Sequence, residues 1–61
     1  MPGYTELVDL ARLCAQQAHL TSSKEVAREL WRIAQEYQRR AAKLHAGPLP
    51  DIGSPPVGVE D

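Results

Sequence analysis

The chain has 61 residues, with seven basic and eight acidic side chains and a net charge of −1 at pH 7. This length allows a single small domain, close to the lower limit for a chain that folds alone. The near-neutral charge excludes a polycation, and the single cysteine excludes an internal disulfide. No stretch resembles a signal peptide or a membrane span, so we expect a cytoplasmic protein.

The first predicted element is an amphipathic helix over residues 4–20. At about 100° per residue its apolar side chains fill one continuous arc, which consists of Tyr4, Leu7, Val8, Leu10, Ala11, Cys14, Ala15 and Ala18. Two leucines break the pattern, because Leu13 and Leu20 fall in the middle of the polar arc.

The second predicted helix covers residues 23–46 and begins at a serine. Ser22 and Glu25 have the spacing of a capping box, and Ser23 is the alternative N-cap. Apolar side chains then recur at spacings of three and four, forming a stripe of Val26, Leu30, Ile33, Tyr37, Ala41 and Leu44 that Ala27 and Ala34 widen. Gly47 and Pro48 are expected to end the helix, with the glycine in the left-handed conformation.

These elements predict an all-α fold, an antiparallel two-helix hairpin over residues 1–46. Only two or three residues separate the helices, so the second folds back on the first. Residues 47–61 contain four prolines and three glycines, and this composition predicts a disordered or loosely attached tail. The alternative is that apolar tail residues such as Leu49 and Ile52 dock on the hairpin or on a partner.

Trp31 lies beyond the edge of the apolar stripe of the second helix. Together with Leu13 and Leu20 it supplies apolar surface that one seam between two helices does not cover. We therefore expect these three residues to form an interaction surface that pairs hairpins into a homodimeric four-helix bundle or binds a helical protein partner. The alternatives are that Trp31 packs against its own tail or is simply exposed.

The basic side chains of the second helix give an alternative function, a small nucleic-acid-associated regulator that uses Arg28, Arg39, Arg40 and Lys43. Against it, glutamates interrupt the arginines, which a phosphate-binding stripe avoids. The spacings of Glu29, Arg32, Glu36 and Arg40 instead favour intrahelical ion pairs. Association with a membrane surface is disfavoured because the polar face is not predominantly cationic.

Few residues are candidates for chemistry. Cys14 lies on the inward arc, where a thiol packs as a small apolar group, and His19 points elsewhere around the helix. His45 lies in the last turn of the second helix, where its charge favours the helix dipole. Neither histidine has a second ligand at metal-binding spacing. We expect no catalytic residues, no cofactor and no metal, and hence a non-catalytic interaction module.

Residues 9–44 resemble a group of short alphaproteobacterial helical-hairpin proteins of unknown function. The second helix of that group runs as E-V-A-x-x-L-x-x-x-A-x-x-Y-x-x-x-A, which is matched here by Glu25, Val26, Ala27, Leu30, Ala34, Tyr37 and Ala41. The resemblance implies a bacterial helical hairpin and transfers no active site. The pattern also looks like one tetratricopeptide repeat, but a lone repeat cannot bury its own faces.

Overall fold

A computed structural model describes residues 3–59, which form two α-helices followed by an extended tail. Helix α1 spans Tyr4–Leu20 and helix α2 spans Lys24–His45. The two helices pack against each other, which confirms the predicted all-α hairpin. Within residues 3–59, neither helix combines the length and the apolar character that crossing a bilayer requires.

The bend between the helices is held by one backbone hydrogen bond and one side-chain cap. The Thr21 N–H donates to the Gln17 carbonyl at 3.0 Å and closes α1. The Ser23 hydroxyl accepts from the Val26 N–H at 3.3 Å and caps α2. Of the two predicted caps, Ser23 is therefore the one that forms, and the capping box at Ser22 does not.

Helix α2 ends one residue earlier than predicted. Ala46 takes the left-handed conformation, with φ 48°, and the Gly47 N–H donates to the Ala42 carbonyl at 3.2 Å. Gly47 was expected in that conformation, but it precedes Pro48, and a residue before proline is restricted to extended backbone. The left-handed position therefore falls on an alanine, which pays a steric cost that glycine avoids.

The seam between the helices is built mainly from alanine. Three alanines of each helix are buried, namely Ala11, Ala15 and Ala18 of α1 and Ala27, Ala34 and Ala41 of α2. Such small side chains let two helices approach closely. The predicted stripe of α2 is only partly buried in this seam, because its alanines are buried whereas Val26 and Leu44 are about half exposed. Leu7 and Val8 close the seam at its open end, with Ala41, Tyr4 and Tyr37.

The tail is attached to the hairpin, which differs from the predicted disorder. The Gln38 amide donates to the Pro50 carbonyl at 2.8 Å, and Arg12 Nε donates to the Asp51 carbonyl at 3.3 Å. His19 Nε2 lies 2.8 Å from the Ser54 carbonyl and must be its donor, since a carbonyl only accepts. These three bonds come from both helices, so the tail runs along the groove between them.

Glycines shape the far part of the tail. Gly53 has φ 90°, and its N–H donates to the Asp51 carboxylate at 2.9 Å. The Val59 N–H donates to the Pro56 carbonyl at 3.0 Å across a turn in which Gly58 has φ 87°. This turn needs a glycine at its third position. It returns Val59 to the hairpin, where the valine is buried.

Candidate interaction surface

Trp31 is not available to a partner. Only 6% of its surface is exposed, and it belongs to one buried cluster with five of the six seam alanines and with Ile52 and Val59 of the tail. The expected surface of Trp31, Leu13 and Leu20 therefore does not form. The alternative in which Trp31 packs against its own tail is the one that the structure contains.

Leu13 and Leu20 lie apart from Trp31. They are 52% and 70% exposed, and they occupy the side of α1 that points away from α2. A shallow, open depression of about 310 Å3 lies beside Leu13, lined by Glu6, Asp9 and Leu10 as well. All four lining residues belong to one helix, so the depression does not enclose a ligand.

The hairpin has two broad sides, and the tail covers one of them. The tail contacts Arg12 and His19 on α1 and Gln38 on α2. At about 100° per residue, these positions lie to one side of the alanine seam on both helices. We call this side the tail-covered side.

The opposite side of the seam is apolar and uncovered within the described chain. We call it the open face, and it consists of Leu10 and Cys14 on α1 and Val26, Leu30, Ile33, Tyr37 and Leu44 on α2. Leu10, Val26 and Leu44 are exposed, and the other four are half-buried. Isolated exposed leucines are ordinary, but a contiguous apolar patch on a small protein commonly marks an interface.

An ion-pair network borders the open face. Arg32 lies 2.9 Å from the Glu29 carboxylate and 3.2 Å from that of Glu36, so two of the three predicted spacings form pairs. The hydrogen bond from Arg32, and then its charge, hold the pKa of Glu29 below its usual value. These side chains are exposed, and such pairs add little stability because solvent screens them.

Arg40 takes a different position from the one that its spacing predicted. Its guanidinium lies over the Tyr37 ring, 5.8 Å from the centroid, and not against Glu36. At about 100° per residue, this places Arg40 about a third of a turn from Arg28 and Arg39. The four residues of the predicted basic surface, Arg28, Arg39, Arg40 and Lys43, span about a third of a turn of α2, and nucleic-acid binding stays an untested prediction.

Cys14 lies at the edge of the open face and is half-buried. Burial raises the pKa of its thiol above the ordinary value. A raised pKa leaves less thiolate at neutral pH, and the thiolate is the reactive form. The site therefore favours packing over nucleophilic chemistry.

The two histidines both have structural contacts. His19 donates to the tail, and His45 stacks on Tyr4 with ring centroids 4.1 Å apart. In the part of the chain that the structure describes, no three His, Cys, Asp or Glu side chains are grouped closely enough to hold a metal ion.

Sequence reasoning assigned the open-face residues of α2 to the core. Their spacing of three and four indicates an apolar stripe but does not say whether the second helix of the same chain covers it. The informative signal was the abundance of alanine beside that stripe, because a close seam needs small side chains.

Comparison of the chain with protein-family models, curated proteins and solved structures found no match. The resemblance to short alphaproteobacterial hairpin proteins therefore stays a prediction.

Proposed function

We propose that this chain is a non-catalytic protein-interaction module that acts by helix–helix association through the open face. The observation that carries this proposal is that the tail covers one side of the hairpin and not the other. The tail covers one side and buries Trp31, whereas the side with Val26, Ile33 and Leu44 has no cover within residues 3–59.

The chemistry of the open face supports a helical partner. Large aliphatic side chains on a rigid helix form ridges and grooves that another helix fills. Val26, Ile33 and Leu44 are seven and eleven residues apart, which keeps them on one side of the helix and places them along nearly the whole of α2. Helix-in-groove recognition uses anchors with this spacing.

The contacts of the ionisable side chains support a role without catalysis. Cys14 has a raised pKa, and the histidines are occupied in a tail contact and an aromatic contact. None of these three side chains is therefore held as a nucleophile or a general base.

A site-specific photocrosslinker at Ile33 tests the proposal in cells that express the full chain. We expect crosslinked products at Ile33, and we expect them to be lost when Val26→Asp is added to the same chain. The matched control places the crosslinker at Arg28, which lies on the solvent side of α2. Equal products at the two positions, or none at Ile33, would contradict an interaction through the open face.

A further inference from the structure

The open face of α2 has the repeat of a paired helix. Positions with spacings of three and four recur from one end of the helix to the other, namely Val26, Leu30, Ile33, Tyr37, Arg40 and Leu44. This is the spacing of the apolar seam in paired helices, interrupted here by one arginine. The midpoint of the stripe, halfway between Val26 and Leu44, falls at residue 35.

Helix α1 adds an apolar side chain, Leu10, at the level of the midpoint of the α2 stripe. Because residues 21–23 join the helices, residues at equal distances from this bend lie level, which places Leu10 beside Ala34. The midpoint of the α2 stripe is one residue away, about 1.5 Å along the axis. The open face therefore has its centre at Leu10 on one helix and between Ile33 and Tyr37 on the other.

We propose that the open face binds the open face of a second copy of this chain. A two-fold axis passes beside Leu10 and between Ile33 and Tyr37, so that α2 pairs antiparallel with α2 of the second copy and α1 with α1. In this register Val26 contacts the partner's Leu44, and Ile33 contacts the partner's Tyr37. The product is a four-helix bundle in which both tails lie outside. This inference rests on the proposed function, since it assigns an occupant to the same surface.

Charge selects the antiparallel direction. Arg40 belongs to the stripe, and in a parallel, in-register pair it would meet the same arginine of the second copy. In the antiparallel pair its aliphatic stem lies on the partner's Leu30, and its guanidinium lies near the partner's Glu29. Glu29 likewise lies near the partner's Lys43. Opposite charges therefore meet at both ends of the interface, and like charges near a desolvated seam are avoided.

The size of the molecule requires both helices to contribute to the proposed dimer. The molecule measures 33 by 20 Å across its two broader dimensions, and the open face extends along the longer one. A stable dimer buries roughly 800 Å2 on each partner. The outline of the whole molecule along these two dimensions is somewhat smaller than that area, so a dimer needs both helices to contribute, and Leu10 supplies the contribution of α1.

Cysteine placement tests the position of the axis. In a Cys14→Ser background, Leu10→Cys places two thiols next to the two-fold axis, and Leu13→Cys places them on the outer side of α1. Disulfides need Cα atoms about 4.4–6.8 Å apart. Under mild oxidation we expect the Leu10→Cys chain to become a covalent dimer at least about tenfold faster than the Leu13→Cys chain. Equal rates would overturn the proposed axis.

Sedimentation equilibrium of the full chain tests whether a second copy occupies the open face. We expect a dimer that dissociates on dilution, Ile33→Asp to be a monomer, and Leu13→Asp to remain a dimer. Circular dichroism checks that each variant is helical, and dilution of the wild-type chain gives the answer even if Ile33→Asp does not fold. A wild-type monomer at high micromolar concentration would overturn the second copy as occupant. Crosslinks from Ile33 to another protein would then still support the proposed function.

An exchange of the charges at positions 29 and 40 tests whether the two α2 helices pair antiparallel. Glu29→Arg puts like charges together in the antiparallel pair, and we expect it to weaken the dimer about fivefold. Adding Arg40→Glu to the same chain restores opposite charges between positions 29 and 40, and the affinity should recover in part, because the contact with the partner's Lys43 stays repulsive. If the double variant is weaker than the single variant, the antiparallel register is wrong.

Discussion

The side-chain amide of Gln38 donates a hydrogen bond to the carbonyl of Pro50 and holds the start of the tail against α2, at 2.8 Å. Pro50 is buried, so its carbonyl has little access to water if the amide is removed. We expect Gln38→Ala to lower the free energy of unfolding by about 1–2 kcal/mol. Urea denaturation measures this change. Gln17→Ala, at an exposed glutamine of α1, is the control and should have almost no effect; equal losses would contradict a specific role for the Gln38 bond.

Ile52 tests how strongly the tail stabilises the fold. It is 8% exposed and belongs to the same cluster as Trp31, whereas Val57 in the same tail is 97% exposed. We expect Ile52→Ala to cost about 2 kcal/mol and to shift the Trp31 fluorescence to longer wavelength, because water reaches the indole. Val57→Ala should change neither quantity. If Ile52→Ala leaves the emission unchanged, the tail does not shield Trp31 in solution.

Ala46 offers a gain in stability. Its left-handed backbone, with φ 48°, costs an alanine more than it costs a glycine. We expect Ala46→Gly to stabilise the chain by roughly 0.5–1 kcal/mol, despite the greater freedom of glycine in the unfolded chain. Gly53→Ala, at φ 90° and with open space around the added Cβ, should have the opposite sign. Thermal unfolding of both variants checks the pair, and a loss of stability in Ala46→Gly would contradict the assigned helix end.

The Cys14 thiol reports on the open face. Because burial raises its pKa, a smaller fraction is thiolate at a given pH than in an ordinary cysteine. We expect alkylation by iodoacetamide to be slower in the folded chain than in urea, and its rate to rise at a higher pH. The proposed dimer adds the expectation that the rate increases when the chain is diluted, because the second copy would then leave the face. A rate independent of chain concentration would argue against cover at Cys14.

The helical part of the fold was predictable, because it depends on local signals. Periodic apolar residues, a serine cap and a short bend determine two antiparallel helices, and their bounds agree with the predicted ranges to within one residue. The exception at Ala46 arises from a neighbour effect, the restriction that Pro48 places on Gly47. A proline-restricted glycine can be recognised in a sequence, so this shift was open to prediction.

The orientation of α2 was not predictable from the same signals. Its apolar arc runs from the side with Ile33 round to the side with Trp31. The arc is wide enough to contact α1, the tail and a further partner on the open face. Periodicity gives the direction of the arc and not the identity of each neighbour. The alanines at the centre of the arc determine the seam, and the tail then determines which flank is covered.

Composition also gave the wrong expectation for the tail. Prolines prevent helix and sheet, but they do not prevent an extended segment from docking. Docking here depends on a few long-range contacts, such as those of Gln38 and His19, which a count of residue types does not contain. Proline also lowers the entropy that an extended segment loses when it is ordered.

The tail-covered side limits the number of copies in the proposed assembly. A subunit that binds its own copies through two opposite surfaces forms an open-ended polymer. A subunit that binds through one surface only stops at a dimer. In the proposed dimer the tail occupies the other side of each hairpin, so the assembly stops at two copies.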